Sequence, residues 1–464
     1  MPVSVARRIA FDVLLRVERQ RAFADELLFA RLAEPKVKRE DAALATGLVL
    51  GVLRWQRLLD FLIGRQLGAS AAKREAQPSA AKSDPARLDP EVRIALRLGL
   101  YQLRWLTRVP ARAAVHESVE LVKRARKSSA ASLVNAVLRN APREEAEALV
   151  AANLPLAERL AMLHSHPTWL VERWLDVLGK EQTRALLVAN NVPPRLTCAV
   201  AAGQSFDALA AELAADKCGA APARWLRGAM EISGGSISRT HAFREGRMRI
   251  QDEASQMVAL LLEVGAGARV LDVCAAPGGK TLILAERAGL DGLIVAGDIH
   301  AHRLRAMRER LGATRNVHLV ALDAAQSLPF RGAFDAILVD VPCSGTGTLA
   351  RNPEIRWRLE PADLLELQQK QQAILENAVA MLCPGGRLVY STCSLEPEEN
   401  EQVVEAVLSQ HPGLSLVSGG AEALAPHLRP GAEAAKLFDA HGYFRTWPHQ
   451  HGTDGFFAAV LQRS

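Results

Sequence analysis

The chain has 464 residues, 49% of them hydrophobic and 23% charged, with a formal net charge of +6. That is the balance of an ordinary globular protein with material for two or three cores. No stretch reaches the roughly eighteen uncharged apolar residues of a membrane helix, and Asp12, Arg16 and Glu18 interrupt the N-terminal apolar run before it attains signal-peptide length. The six cysteines, Cys198, Cys218, Cys274, Cys343, Cys383 and Cys393, include no C-x-x-C pair. No metal site is therefore expected, and the thiols are read as reduced in a cytoplasmic protein.

Charge is unevenly distributed. Residues 1–140 carry 26 Lys and Arg against 14 Asp and Glu, a surplus of +12, so the remainder is net negative. A surplus of that size on one compact module suits a polyanion, since each neutralised phosphate releases counterions. A merely solvated basic surface is the competing reading.

The first 145 residues read as helical throughout. Ile9, Val13, Leu14 and Val17 recur at helical spacing, and "DAALATGLVLGVLRWQRLLDFLIGRQL" repeats the pattern. A stretch rich in Ala, Ser, Lys and Pro at about 68–87 has no period and predicts a flexible insertion. Helical pattern returns through "PEVRIALRLGLYQLRWL" and "HESVELVKRARKSSAASLVNAVLRN". There the cluster Lys123, Arg124, Arg126 and Lys127 precedes a small-residue turn and is the candidate for touching nucleic-acid phosphates. Residues 146–245 predict a small α+β domain with a linker or RNA-binding role: a helix at "TWLVERWLDVLG", a strand at "LTCAV" and a helix at "FDALAAELAAD".

From residue 246 to the end the character changes. "ARVLDVCA", "LIVAGDI", "VHLVALD", "FDAILVDVP" and "GRLVYSTCS" are apolar, β-branched runs separated by helical stretches, and "DGFFAAVLQ" supplies a late strand. Such alternation predicts a parallel sheet covered on both faces, with ligands at the carboxyl ends of its strands.

"VLDVCAAPGGKT" places a small-residue turn between a strand and a helix. Its glycines let a backbone approach a ligand and aim N–H groups at it. A phosphate-binding loop would need glycine where Cys274 stands, and the dinucleotide fingerprint also fails. A nucleoside-bearing cofactor without a long phosphate chain remains. Asp298, about 20 residues on, can accept ribose hydroxyls; Asp323 can pair with an adenine amino group; Asp340 ends the fourth strand. Any one of these carboxylates alone reads as a helix cap. Three in register with the glycine turn point to a ligand.

Together "VLDVCAAPGGKT", "DVPCSGTG", "RNPEIRW", "YSTCSLEPEEN", "TDGFF" and the upstream "RIQDEASQ" resemble the Sun/Fmu-type S-adenosylmethionine-dependent RNA (cytosine-5) methyltransferases, and the front end is similar to their NusB-like RNA-binding domain. The resemblance implies three parts: an all-α NusB-like domain, a small α+β middle domain, and an α/β Rossmann-like methyltransferase domain. It implies S-adenosyl-L-methionine as cofactor, held by Cys274, Ala275, Ala276, Pro277, Gly278, Gly279, Lys280, Asp298, Asp323 and Asp340. It makes Cys393 the nucleophile and Cys343 the group that helps release product. The NusB-like front end points to small-subunit ribosomal RNA as the partner, with transfer RNA or a non-catalytic assembly role as alternatives, and a monomer is expected.

The chemistry calls for two thiols. Cytosine carbon 5 is a poor nucleophile; a thiolate adding at carbon 6 enriches it, and the carbon 5 proton must later leave to a base. Lys280 is expected to favour the thiolate and Asp340 to hold the cytosine amino edge. The base must be unstacked, so single-stranded or loop RNA is the expected target. Arg351, Asn352 and Arg356 read either as a clamp on RNA or as caps of the following helix. Cys274 is expected to contribute backbone rather than sulfur, and Cys198, Cys218 and Cys383 to pack.

Overall fold

The computed structural model describes residues 3–20, 22–32, 34, 36–72, 84–312 and 314–464. They fall into two compact units: Met1–Pro193 with Leu349–Arg358, and Pro194–Thr348 with Leu359–Ser464.

The first unit is helical, as its 3.6-residue periodicity requires. Helices Val5–Gln20, Arg39–Arg54, Gln56–Ala72, Pro90–Trp105, Ala111–Arg124 and Ala131–Arg139 enclose a core that includes Leu48, Leu59, Leu62, Leu96 and Leu98. Pro90 opens its helix at a position where the missing N–H costs nothing. Gly51 lets two helices approach closely: a Cβ there would lie 2.0 Å from the ring of Tyr101. Arg97 is buried between Asp60, at 2.7 Å, and Glu18, at 2.9 Å, so its charge is compensated. The unit continues past residue 145 with helices Leu156–Leu163 and Thr168–Ala189, the latter kinked where Gly179 takes a φ of 71°. Of the span read as a flexible insertion, 73–83 lie outside the described residues. At its edges the helix Gln56–Ala72 runs on, and Pro85–Arg87 forms a 3-10 turn on the Asp84 cap.

The second unit begins with a four-stranded antiparallel sheet in the order β2-β3-β1-β4: β1 Leu196–Val200, β2 Cys218–Pro222, β3 Ala229–Gly234 and β4 Met248–Ile250. The helix Phe206–Ala215, capped by Ser205, packs on it, and Cys198 and Cys218 belong to its core. A larger sheet follows, in the order β10-β12-β9-β8-β5-β6-β7: β5 Arg269–Asp272, β6 Leu293–Asp298, β7 Val317–Ala321, β8 Phe334–Asp340, β9 Leu382–Thr392, β10 Leu414–Leu416 and β12 Phe456–Arg463, with β11 Phe444–Thr446 paired to β12.

Alternate residues of one strand enter opposite cores. Val270, Leu338, Val389 and Ala458 go to one; Leu271, Ile337, Leu388 and Phe457 go to the other. Strands β5 to β9 are parallel, but β12 runs antiparallel to β9, and β10 and β11 run antiparallel to β12. The five runs read as a parallel sheet are parallel, and the late strand, whose direction the sequence left open, makes the sheet mixed. A strand covered on both faces is continuously apolar whichever way it runs, so its sequence carries no record of direction. Among the described residues no single helix is long and apolar enough to cross a membrane.

Candidate active site

The site stands at the carboxyl ends of the parallel strands. After β5 the chain turns through Cys274–Gly278 into the helix Gly279–Ala288. Gly278 has a φ of 99°, open to glycine at little cost, and a Cβ there would meet Met307 at 2.9 Å. The Ala275 N–H donates to Gly297 O at 2.7 Å, and the Ala276 N–H to Asp298 Oδ2 at 3.3 Å. Asp298, at the end of β6, also accepts the His300 N–H at 2.8 Å. Its carboxylate thus ties the second strand end to the glycine turn. Asp323 is exposed and accepts the Ala325 N–H at 3.1 Å. Burial pushes the Cys274 thiol well above its ordinary value, with Asp272 adding to the effect, so its sulfur stays protonated.

Asp340, ending β8, is held on both oxygens: Lys280 Nζ donates to Oδ2 at 2.7 Å and Ser391 Oγ to Oδ1 at 2.7 Å. Lys280, which was expected to favour a thiolate, is paired with Asp340 and also lies 5.1 Å from the Phe456 ring centre. Each carboxylate oxygen keeps a lone pair for a further donor.

Beyond β8 and β9 lie the two cysteines. Cys343 Sγ and Cys393 Sγ are 3.3 Å apart, across a sequence separation of 50 residues. The Cys393 N–H also donates to Cys343 Sγ at 3.3 Å. Cys343 is held well above the ordinary thiol range, first by its hydrogen bond with Cys393, then by burial, and further by the charges of Cys393 and Glu399. The turns that carry them interlock: Gly347 N–H donates to Cys393 O at 2.9 Å, and Gly455 N–H to Gly347 O at 2.8 Å. A Cβ on Gly347 would lie 2.1 Å from Gly455 O, which accounts for a glycine in "GTG" facing the one in "TDGFF".

Three contributors escaped the sequence reading. Asp272, inside the run "VLDVC", is buried and accepts Thr281 Oγ1 at 2.7 Å. Burial pushes its carboxyl up to about 7 against the Thr281 hydrogen bond, with Asp340 also raising it. Glu399 is fully buried behind the cysteines. Gln251 Oε1 is buried without a hydrogen-bond partner, its side chain 3.2 Å from where a Gly279 Cβ would stand. A polar residue inside an apolar strand run was the available signal for Asp272. Glu399 stands beside Glu396 and Glu398 in "EPEEN", and nothing in their spacing sets it apart.

Arg351, Asn352 and Arg356 lie in the segment Leu349–Arg358 of the first unit. Arg356 is buried. It donates to the carbonyls of Ser165 at 3.0 Å, Asn190 at 3.2 Å, and Arg54 and Leu349 at 3.3 Å, and to Asn191 Oδ1 at 3.0 Å. It therefore pins loops of its own unit rather than clamping RNA, because it is buried and both of its terminal nitrogens are already engaged. Of the basic cluster, Lys123, Arg124 and Arg126 are exposed; Lys123 pairs with Glu120 and Lys127 with Asp89. Lys123 also lines a groove of about 980 Å³ in this unit, together with Trp55, Arg104, Trp105, Arg112 and Arg139. The two indoles stack at 5.0 Å.

Comparison with known proteins accords with this architecture. Residues 259–462 match the family model described as 16S rRNA methyltransferase RsmB/F, residues 4–143 match the NusB family, and residues 166–236 match the ferredoxin-like domain of RsmF/B-like methyltransferases. A probable ribosomal RNA small subunit methyltransferase B of Bacillus subtilis is 33% identical, with 100% of each chain covered. The ribosomal RNA small subunit methyltransferase B of Pseudomonas putida is 36% identical, covering 92% of this chain and 91% of that one. The crystal structure of the protein PH0851 superposes with a TM-score of 0.78 at 25% identity, over 100% of both chains. With its three parts in order and full-length relatives above 30% identity, the chain belongs to the RsmB/F family of 16S rRNA methyltransferases.

Proposed function

We propose that the protein transfers a methyl group from S-adenosylmethionine to carbon 5 of a cytosine in small-subunit ribosomal RNA, through a covalent adduct between Cys393 and carbon 6. The observation that carries this reading is the pair of sulfurs 3.3 Å apart at the ends of adjacent parallel strands, next to the Asp340 carboxylate. Two thiols so placed reach one ring, one to add and one to assist departure.

Cys393 is the attacking group. Cys343 keeps its proton in the free enzyme, first through its hydrogen bond with Cys393 and then through burial; Cys393 contributes that hydrogen bond and, after burial, a charge. Once Cys393 sulfur is bonded to carbon, both contributions are gone. Cys343 then ionises more readily, at the stage where the carbon 5 proton needs a base. Asp340, oriented by Lys280 and Ser391, accepts from the cytosine amino group.

When bound, S-adenosylmethionine supplies an electrophilic methyl group. The turn Cys274–Lys280, Asp298 and Asp323 would hold it, with Gln251 Oε1 free to accept a donor beside Gly279. The residues fit such a group: a backbone turn open at a helix N-terminus, carboxylates at strand ends, and a buried acceptor without a partner. The groove of the first unit, with stacked indoles and cationic rims, suits unpaired RNA.

The test is methyl transfer from labelled S-adenosylmethionine to small-subunit ribosomal RNA, with transfer RNA as comparator. Label in 5-methylcytosine of the ribosomal RNA is expected. Label on transfer RNA alone would move the substrate assignment, and no transfer to either would reduce the protein to a binding factor.

A further inference from the structure

Two chemically identical thiols in contact raise a question of symmetry: something must decide which one attacks. Glu399 is placed to do so. Its Oε1 accepts the Ser344 N–H at 2.8 Å and Gln371 Nε2 at 2.9 Å, and its Oε2 accepts the hydroxyls of Ser344 and, at 2.5 Å, Ser394. The two serine oxygens are themselves 3.0 Å apart and both aim at Oε2. Four polar groups converge on the one carboxylate, whose two oxygens can accept from all of them. Ser344 directly follows Cys343 and Ser394 directly follows Cys393, so one buried anion ties the two cysteine turns together.

The tie is unequal. On the Cys343 side the carboxylate takes the peptide N–H joining Cys343 to Ser344 as well as the hydroxyl; on the Cys393 side it takes only the hydroxyl. The peptide N–H of Ser394 turns instead to Thr392 Oγ1 at 3.1 Å. Glu399 is itself anchored from outside the pair by Tyr390, whose Oη donates to its carbonyl at 2.6 Å, and the next residue, Asn400, donates from Nδ2 to Ser394 O at 3.0 Å.

We propose that Glu399 is the positioning residue that makes the two sulfurs unequal, setting its buried negative charge against the Cys343 turn so that Cys343 keeps its proton and Cys393 is left to attack. The inference rests on the two-thiol reading of the site given above. A like charge close by disfavours ionisation of Cys343, and the hydroxyl arm fixes the separation between the turns.

The experiment is alkylation of the full-length protein by iodoacetamide, with peptide mass spectrometry reporting the rate at each sulfur, beside trapping of protein joined to 5-azacytidine-substituted ribosomal RNA. Wild type should alkylate Cys393 first. Glu399→Gln preserves the shape and removes the charge, since the serine hydroxyls can rotate to accept from the new amide. It should raise Cys343 reactivity relative to Cys393 by about tenfold, the change that one unit of thiol acidity makes, and slow adduct formation. Glu399→Asp should restore the preference. If Glu399→Gln melts early, Ser394→Ala gives the comparison: it should slow adduct formation while Cys343 remains the less reactive sulfur. An unchanged preference in Glu399→Gln, or a reactive Cys343 in Ser394→Ala, overturns the role of Glu399. Absence of any RNA adduct in the wild type would instead bring down the reading of the site itself.

Discussion

Cys343 Sγ lies 3.3 Å from Cys393 Sγ, a contact made because β8 and β9 are parallel neighbours whose ends stand side by side. No nucleobase fits between sulfurs at that distance. In the proposed reaction the ring enters above the pair, where each sulfur would reach one of two adjacent ring carbons.

This arrangement gives the two sulfurs separable phenotypes. Cys393→Ala should abolish methyl transfer without leaving any protein joined to RNA. Cys343→Ala should attack and transfer but stall, accumulating a covalent complex visible on a denaturing gel. The opposite pattern would exchange the two roles.

Asp340 holds Lys280 Nζ and Ser391 Oγ at 2.7 Å each. Asp340→Asn keeps the size of the side chain but discards the negative charge that pairs with Lys280 and turns one of the two acceptor oxygens into an N–H donor. A fall of about a hundredfold in kcat/KM is expected, in the range of a lost charged hydrogen bond. Single-turnover kinetics would check it, and an undiminished rate would remove Asp340 from the site.

Arg356 is surrounded by main-chain carbonyls of its own unit, and burial pushes its guanidinium down to about 9. Arg356→Met should destabilise that unit by about 3 kcal/mol or more, because several buried acceptors lose their donor together. Thermal unfolding would measure this. Lys123→Glu and Arg124→Glu, on exposed positions, should leave the melting temperature in place while weakening RNA binding. They should also flatten its dependence on salt by about one unit of log–log slope per lost phosphate contact.

Asp272 provides a pH-dependent signature. Its folded carboxyl titrates at about 7 against a reference of 3.8, chiefly through burial. The folded state therefore favours the protonated form, so this residue's contribution is fully present below about pH 4, declines as pH rises toward 7, and is absent above it. Asp272→Asn, which retains an acceptor for Thr281, should raise the melting temperature relative to wild type more at pH 8 than at pH 5. Equal differences at the two values would contradict the assignment.

Much of this molecule was written locally. The helices of the first unit, the runs that became β5 to β9 and β12, the glycine turn at 274–280 and the cysteine at each strand tip follow from side-chain period and turn chemistry. Both act over a few residues and so survive in the linear order. The direction of β12, the pairing of Lys280 with Asp340, the confinement of Arg356 to its own unit and the selection of Glu399 from an acidic stretch were settled only in three dimensions. Each depends on partners brought together from distant positions. Burial and hydrogen bonding between such partners are properties of packing, and packing leaves no periodic trace in the sequence.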